Sequence, residues 1–359
     1  MAESKEDGSP PPKDISFKDS IFCIDCHPSQ ELIAIGLITG PVQLCHYANK
    51  SHPSLKMKHH KQSCRVTKFS EDGTMLYTGS KDAQLCEVDV MSGNVVRKVN
   101  QSHKSSIYSM HVVNANIITT GDDNGVIKVW DTRSMNPVME SDAHTDFVSD
   151  MTDNGHKALI AVSGDGSLSV TDLRRHKQKG KSDTFESELL SVAIVKNGSK
   201  VICGDGDGTI NIFNWDLWED ITDRFPIHPQ SIDCIVKITE DVVCTACMDG
   251  MIRAVQILPN QTILEVGQHS DDLPVDHLCL THDHEYLASS SQDCVKFWSV
   301  DEVVQARIKS DPLLSAIRSK PAGDSSDSED EERRKRRKRK KKHLVTKRPK
   351  TSVDFFSDL

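Results

Sequence analysis

The sequence predicts an all-β fold, a seven-bladed β-propeller, from three observations. A frame of about 42 residues recurs seven times, and each copy ends on a short β-like run. These runs end at residues 45, 88, 130, 171, 213, 255 and 298, so the spacing stays between 41 and 43. A fixed period of this length is typical of repeat architectures. Within the copies, short β-prone runs alternate with tight turns, which is the pattern of four-stranded propeller blades.

The copy from about His103 to Ala143 shows the elements of a blade most clearly. Its four strands are predicted, from the inner to the outer one, at Ser106–Val113, Asn116–Gly121, Val126–Asp131 and Pro137–Ala143. A tight turn is predicted before the third strand, where Gly125 can adopt a positive φ without steric cost. The fourth strand starts with a proline, which edge strands tolerate.

The repeat divides the chain into three predicted parts. Residues 1–14 are predicted as a disordered N-terminal tail, 15–300 as the propeller and 301–359 as a charged, mostly disordered tail. The blades are predicted at about 19–60, 61–103, 104–144, 145–185, 186–228, 229–270 and 271–300. The last blade needs an outer strand, and we predict that Ile15–Phe17 supplies it and latches the first blade to the last. The alternative, Val303–Ile308, is more typical of a helix.

Histidine and aspartate recur at fixed positions of the frame. A histidine lies four residues before several inner strands, at His60, His103, His144 and His228. An acid or amide lies in the turn before the third strand, at Asp82, Asn124, Asp165, Asp207 and Asp249. Such pairs can satisfy buried polar groups across a loop. We therefore interpret them as structural, and predict no catalytic, cofactor or metal site.

The composition indicates an intracellular protein that is not inserted in a membrane. No run of 18 apolar residues is present, and the polar, proline-rich N-terminus lacks a signal region. The 11 cysteines are therefore expected to be reduced thiols. Two C-x-x-C pairs, which begin at Cys23 and Cys244, are not expected to bind zinc, because residues three apart in a strand point to opposite faces.

A run of ten basic residues dominates the C-terminal tail. It comprises Arg333, Arg334, Lys335, Arg336, Arg337, Lys338, Arg339, Lys340, Lys341 and Lys342, and we call it the basic tract. The formal net charge is −9, so the rest of the chain carries −19. Such a run is typical of binding to import receptors and of non-specific contact with RNA phosphates. A solvated tail without a partner is the alternative.

Two further features of the tail are candidates for modification and docking. Ser326 and Ser328 each precede a glutamate by three residues, so acidophilic kinases could phosphorylate them and weaken the tract's hold on nucleic acid. Phe355 and Phe356 end the chain in an aromatic and acidic peptide. This peptide either docks to a partner or folds back on the propeller.

Several segments carry a family resemblance. Trp130 and Asp131, with the turn before them and the histidine frame, resemble WD repeats. The stretches Ile212–Phe225, Ser231–Cys234, Asp249–Asn260, Val266–His269 and Asp354–Leu359 resemble the WD repeat-containing protein 55 family. This resemblance implies a non-enzymatic scaffold in the nucleus and nucleolus, with some protein in the cytoplasm. It also implies a role in ribosomal RNA processing and ribosome biogenesis, with pre-ribosomal assembly factors as partners and a monomer within a larger complex.

Two local departures from the frame suggest contacts with partners. Trp130, Asp131 and Arg133 resemble the Trp-Asp-x-Arg box with which substrate receptors of cullin-type (CUL4-like) E3 ubiquitin ligases bind their adaptor. A ligase receptor is therefore the alternative function, although Arg133 could simply pair with a neighbouring acid. Trp215 and Trp218, after blade five, are candidate partner anchors. The alternative is that they pack against the blade edge.

Overall fold

The computed structural model describes residues 11–48, 54–155, 157–269 and 273–310. Within these residues, 28 strands form seven antiparallel sheets of four strands each, arranged as a β-propeller, and one α-helix follows them. The prediction of a seven-bladed all-β propeller is confirmed. In the described part of the chain, no helix has the length and apolar character that crossing a bilayer would require.

The strands follow one another through the blades in chain order. After β1 (Ile15–Ser16), blade one contains β2 (Ile21–Cys26), β3 (Leu32–Leu37), β4 (Val42–His46) and β5 (Ser54–Met57). Blade two contains β6 (Cys64–Phe69), β7 (Met75–Ser80), β8 (Leu85–Asp89) and β9 (Val95–Val99). Blade three contains β10 (Ile107–Asn114), β11 (Ile117–Asp122), β12 (Val126–Asp131) and β13 (Asn136–Asp142). Blade four contains β14 (Val148–Asp153), β15 (Ala158–Ser163), β16 (Leu168–Asp172) and β17 (Lys177–Lys181). Blade five contains β18 (Leu189–Val195), β19 (Lys200–Asp205), β20 (Thr209–Asn214) and β21 (Asp223–Pro226). Blade six contains β22 (Ile232–Lys237), β23 (Val242–Cys247), β24 (Met251–Gln256) and β25 (Gln261–Gln268). Blade seven contains β26 (His277–Leu280), β27 (Tyr286–Ser291) and β28 (Cys294–Ser299), and β1 is its fourth strand. The helix α1 (Val300–Ser310) follows β28.

The inner strands form a closed ring. Each of β2, β6, β10, β14, β18, β22 and β26 contacts the inner strand of the next blade, and β26 contacts β2. The N-terminal segment joins the ends of the ring, because β1 pairs with β28 through Ile15↔Val295 and Ser16↔Cys294. The amide of Phe17 also donates to the carbonyl of Asp293 at 2.8 Å. Residues 303–308, the alternative latch, lie in α1.

The core lies between neighbouring blades. The second strands β3, β15 and β23 are buried along their whole length, as expected for strands that are covered on both faces. In one core cluster, Ile160 and Val170 of blade four pack with Val192 and Val201 of blade five. A single sheet could not bury these faces alone, so each blade is stabilised by the next one.

The turn before the third strand fixes the spacing between blades. Gly125 has φ of 84°, in the left-handed region that favours glycine. A Cβ at this position would lie 2.4 Å from the carbonyl oxygen of His144 in the loop to the next blade. Glycine is therefore required here both by the backbone conformation and by the close approach of the following loop.

Candidate functional site

Six of the inner strands carry a β-bulge at the same place. The pairing register shifts between the first and third residues of each strand, so the second residue is left without a direct partner. These second residues are Phe22, Arg65, Tyr108, Ser149, Leu190 and Asp233. In blade seven the corresponding position, directly before β26, is Asp276. A bulge re-aims the side chain that it carries and is frequent beside binding sites.

These bulge residues surround one cavity. Six of the seven line a space of about 240 Å³ together with Ile21 and His277, and Arg65 packs beside it. Because the lining comes from blades one and three to seven, the cavity lies on the axis of the ring, at the end where the inner strands begin. We call this site the channel mouth and define it by Phe22, Arg65, Tyr108, Ser149, Leu190, Asp233 and Asp276. All seven side chains are half-buried.

One side of the channel mouth is aromatic and holds an internal cation. The guanidinium of Arg65 lies 5.7 Å from the ring centre of Phe22 and 5.6 Å from that of Tyr108, which is within cation–π range. The ring of Tyr108 in turn lies 4.8 Å from that of Phe147. Nη1 of Arg65 donates to Oδ1 of Asp123 at 2.5 Å. The charge of Arg65 is therefore already balanced within the protein.

Blades six and seven make another side of the channel mouth acidic, through Asp233 and Asp276. Burial raises the pKa of Asp233 to about 6, although a hydrogen bond from the hydroxyl of Ser231 opposes this shift. Burial, together with the charge of Asp233, also raises the pKa of Asp276 to about 6. Burial lowers the pKa of the neighbouring His277 to about 4, so this ring is neutral at pH 7. Near neutral pH the channel mouth therefore carries excess negative charge.

The channel mouth was not among the sites predicted from the sequence. The signal for it was the spacing, because the second residues of successive inner strands are 41 or 43 positions apart like the rest of the frame. Buried acids with raised pKa values that stabilise no ion pair are typical of functional sites rather than of structural ones. The arrangement is suited to binding, since it combines a cavity, aromatic rings and localised charge.

The recurring histidines lie where the frame placed them and hold loops to blades. Nδ1 of His103 is 3.1 Å from Oδ2 of Asp122, and Nε2 is 2.6 Å from the hydroxyl of Thr120. The indole N–H of Trp130 donates to the same hydroxyl at 2.8 Å. All these groups are buried, so each satisfies a polar atom that would otherwise destabilise the blade.

The other three histidines make related contacts. His144 lies 3.2 Å from Asp165, and His60 lies 3.5 Å from Asp82. His228 lies 2.7 Å from the hydroxyl of Thr245 and 3.8 Å from Asp249, and Arg253 contacts both His228 and Asp249.

The aspartate position needs a correction in two blades. Asp207 is exposed at the tip of its turn, and the buried acid of blade five is Asp205. Asp205 accepts the amide of Thr209 and the side-chain amide of Asn211, each at 2.8 Å. In blade three, likewise, Asp122 rather than Asn124 contacts the histidine. In these two blades the second strand itself ends in a buried acid. In blades two, four and six it ends in serine or cysteine, and the acid two positions later lies beside the histidine.

Two groups of potential metal ligands are present among the described residues. In the first, His59, His60 and Cys86 have ligand atoms within 4.8 Å of one another. Burial raises the pKa of Cys86 to about 12, which favours the thiol over the thiolate that metals bind. The second consists of His228, Cys247 and Asp249, where the cation of Arg253 already occupies the space beside the carboxylate. Neither group is therefore well suited to a metal.

The double-tryptophan segment packs inside the propeller. Trp218 is 6% exposed and belongs to the core between blades four and five. A Cβ on Gly180 would lie 2.9 Å from its ring, so blade four leaves room for the indole. Trp215 is half-buried against the same core, with its ring centre 4.9 Å from that of Trp218. The prediction that this pair anchors a partner is wrong for Trp218, because the core already covers its side chain.

The Trp-Asp-x-Arg box is occupied by an internal ion pair. Nε of Arg133 donates to Oδ1 of Asp131 at 3.0 Å, and Nη2 donates to Oδ2 at 2.6 Å. The hydrogen bond from Arg133 lowers the pKa of Asp131 to about 2. Trp130 is 1% exposed, whereas the side chain of Arg133 is 73% exposed. Arg133 therefore pairs with a neighbouring acid, and adaptor binding through this box stays a prediction.

The remaining candidates lie outside the described residues. The basic tract, Ser326, Ser328, Phe355 and Phe356 all fall between residues 311 and 359. Their assignments stay predictions.

Comparisons with known proteins cover most of the propeller. The WDR55 family model matches residues 12–303. The WD repeat-containing protein 55 of Rattus norvegicus is 39% identical over 297 residues, which is 81% of this chain and 77% of the rat protein. The protein of that name from Arabidopsis thaliana is also 39% identical, over 81% of this chain and 84% of its own length. The WD repeat-containing protein JIP5 of Cryptococcus neoformans is 33% identical over 79% of this chain and 80% of its own length.

Proposed function

The chain belongs to the WD repeat-containing protein 55 family, and we propose that it acts in the nucleolus as a scaffold for ribosomal RNA processing and ribosome biogenesis. Family membership and the propeller fold support a role as a protein-interaction scaffold. The WD-repeat propeller is generally a non-catalytic fold. The observation that supports a scaffold role is the channel mouth, a half-buried cavity beside which all seven blades place a residue. The nucleolar role is what the resemblance to this family implies.

Two parts of the chain carry opposite charges, and we assign them different binding roles. The carboxylates of Asp233 and Asp276 repel phosphate, so the channel mouth is unsuited to RNA. The basic tract has the opposite charge and can contact RNA phosphates without reading their sequence. In this proposal the propeller binds proteins, whereas the tract supplies import and retention near pre-ribosomal RNA.

The proposal is tested by replacing all ten residues of the basic tract with glutamine in the tagged full chain. We expect the variant to leave the nucleolus, because import receptors and RNA both bind this charge. Fusing an unrelated import signal to the variant is the control. If the fused variant enters the nucleus but not the nucleolus, the tract also retains the protein in the nucleolus through RNA contact. If it enters both, the tract serves import alone. A variant that stays nucleolar would contradict the role of the tract.

The role in processing needs a separate measurement. Depleting the protein should cause precursors of ribosomal RNA to accumulate, as seen by pulse labelling and RNA blots, and the wild-type chain should reverse this effect. An unchanged precursor pattern would overturn the proposed function. Cross-linking mass spectrometry of the tagged chain from nuclear extract would then identify the partner proteins and the propeller face that they contact.

A further inference from the structure

We propose that the channel mouth holds a single lysine or arginine side chain of a partner protein, with its charged end against Asp233 and Asp276 and its stem against the aromatic side. This inference rests on the proposed scaffold function and names the chemistry of the partner that the scaffold recognises.

The size of the cavity fits one side chain. Its volume of about 240 Å³ is below the range of about 300–1,000 Å³ that is usual for small-molecule sites. It opens at the end of the ring where the inner strands begin, so a residue on the surface of a partner can enter from that side. The rings of Phe22 and Tyr108 offer apolar surface to the stem of a long basic side chain, while its charged end stays beside polar groups.

The two acids of the channel mouth have no cationic partner among the described residues. Within the described residues, neither Asp233 nor Asp276 forms an ion pair, and Arg65 is already paired with Asp123. His277, which also lines the cavity, is neutral because burial lowers its pKa to about 4. Half-buried carboxylates without a counter-charge are costly in the free protein. A bound ammonium or guanidinium group would supply the missing counter-charge.

The same charges predict how binding changes with pH. A cation binds the ionised carboxylates, whose pKa values are raised to about 6 by burial. The other charged or titratable groups around the cavity are Arg65, Asp123, Tyr108, His277 and Lys68, which acts on His277 and is paired with Asp25. His277, with its pKa of about 4, and Tyr108, whose pKa burial raises, stay neutral between pH 5 and 7.5. Affinity should therefore fall as the pH drops through about 6.

The experiment selects random dodecapeptides displayed on phage against the immobilised full chain. We expect the enriched peptides to share one lysine or arginine, and replacing that residue with glutamine in a synthetic peptide should weaken binding at least about tenfold. The double variant Asp233→Asn/Asp276→Asn should show a similar loss. Asp207→Asn removes one exposed carboxylate in blade five and is the matched control, which should bind like the wild type.

Three outcomes would overturn the inference. The enriched peptides could lack a common basic residue, or they could bind the double variant as tightly as the wild type. Neutralising the basic tract could also raise peptide affinity more than about tenfold, which would mean that the chain's own tail occupies the channel mouth. Carbodiimide cross-linking of the peptide lysine to Asp233 or Asp276, located by mass spectrometry, supports the proposal independently of affinity.

Recognition of a basic side chain and the nucleolar function can be contradicted independently of each other. Peptides that bind as expected, combined with normal ribosomal RNA processing after depletion, would contradict the nucleolar function and leave the recognition of a basic side chain standing. Conversely, a double variant that keeps every partner and restores processing in depleted cells would contradict the inference and leave the scaffold standing.

Discussion

At the scale of single residues, the least expected groups are Asp233 and Asp276. Most acids of the propeller accept hydrogen bonds or pair with bases, as Asp122 does with His103 and Asp241 does with Lys196. Among the described residues the two acids of the channel mouth form no ion pair, and burial raises their pKa values to about 6. Such groups reduce the stability of the free protein, and selection retains them where binding requires them.

Asp276→Asn should therefore stabilise the protein at neutral pH. The pKa of Asp276 is about 6 in the folded state against 3.8 ordinarily, so ionisation is penalised only when the chain is folded. This penalty is complete above pH 6, declines as the pH falls through 6, and is lost below 3.8. We expect the variant to gain about 1–2 kcal/mol at pH 7.5, after allowance for partial exposure, and clearly less at pH 5. Thermal unfolding at both pH values measures the gain.

Asp207→Asn, which changes an exposed carboxylate, is the control and should leave the unfolding temperature unchanged. A gain for Asp276→Asn that is equal at both pH values, or a loss, would contradict the assignment of an uncompensated charge at this position.

The channel mouth could not be predicted from residue identity. Its members include phenylalanine, arginine, tyrosine, serine, leucine and aspartate, so the frame position shows no common chemistry. What unites these residues is a shift in strand register, which depends on the pairing of two strands and not on either one alone. The recurring histidines were predictable for the opposite reason, because one residue type serves the same buried contact in several blades.

At the scale of elements, a blade is held by a buried polar triad as well as by its apolar faces. In blade three, the hydroxyl of Thr120 joins the ring of His103 and the indole of Trp130. Blade seven repeats the arrangement, since Ser289 contacts both His269 and Trp298. Each triad connects the loop that enters a blade to the second and third strands of that blade.

Thr120→Val should destabilise the propeller by about 2–4 kcal/mol, because it keeps the side-chain shape and leaves two buried polar groups without their partner. Thr120→Ser keeps the hydroxyl and is the matched control, for which we expect a loss of under about 1 kcal/mol. Urea unfolding measures both changes. Equal stability of the valine and serine variants would show that the triad contributes packing rather than hydrogen bonding.

The sequence predicted most elements but not the details of the turns. Periodicity located the strands, and the helical character of residues 303–308 was visible in the spacing of apolar positions. The choice between Asp205 and Asp207 was not visible, because both lie in one turn and only the end of β19 decides which of them points inward. The burial of Trp218 was also hidden, since it depends on Gly180 in the neighbouring blade.

At the scale of the whole molecule, the ring is closed by two residues of backbone pairing. Strand β1 covers β28, and Ile15 is 5% exposed within the cluster that joins blades one and seven. Residues from the beginning and the end of the propeller thus share one core. As an outer strand, β1 is short, because it has two residues whereas β13, the outer strand of blade three, has seven.

Ile15→Lys should open the seam, because it places a charge in the buried cluster without a partner. We expect the unfolding temperature to fall by roughly 5 °C or more. Ser16→Lys places the same charge on the exposed residue of β1, so this matched control should unfold like the wild type. Differential scanning calorimetry distinguishes the two, and an unchanged Ile15→Lys variant would show that the latch contributes little to the ring.

The latch also has a consequence for how the protein is made. The ribosome releases β1 first, yet its partner β28 comes about 280 residues later. At bacterial or eukaryotic elongation rates, this delay is on the order of tens of seconds. Throughout that time the first strand has nothing to pair with, while the following blades emerge and stack one by one. The first strand to be synthesised is therefore the last to be placed. A chain that stops before β28 leaves β1 without its partner strand and blade one without the neighbour that covers its apolar face.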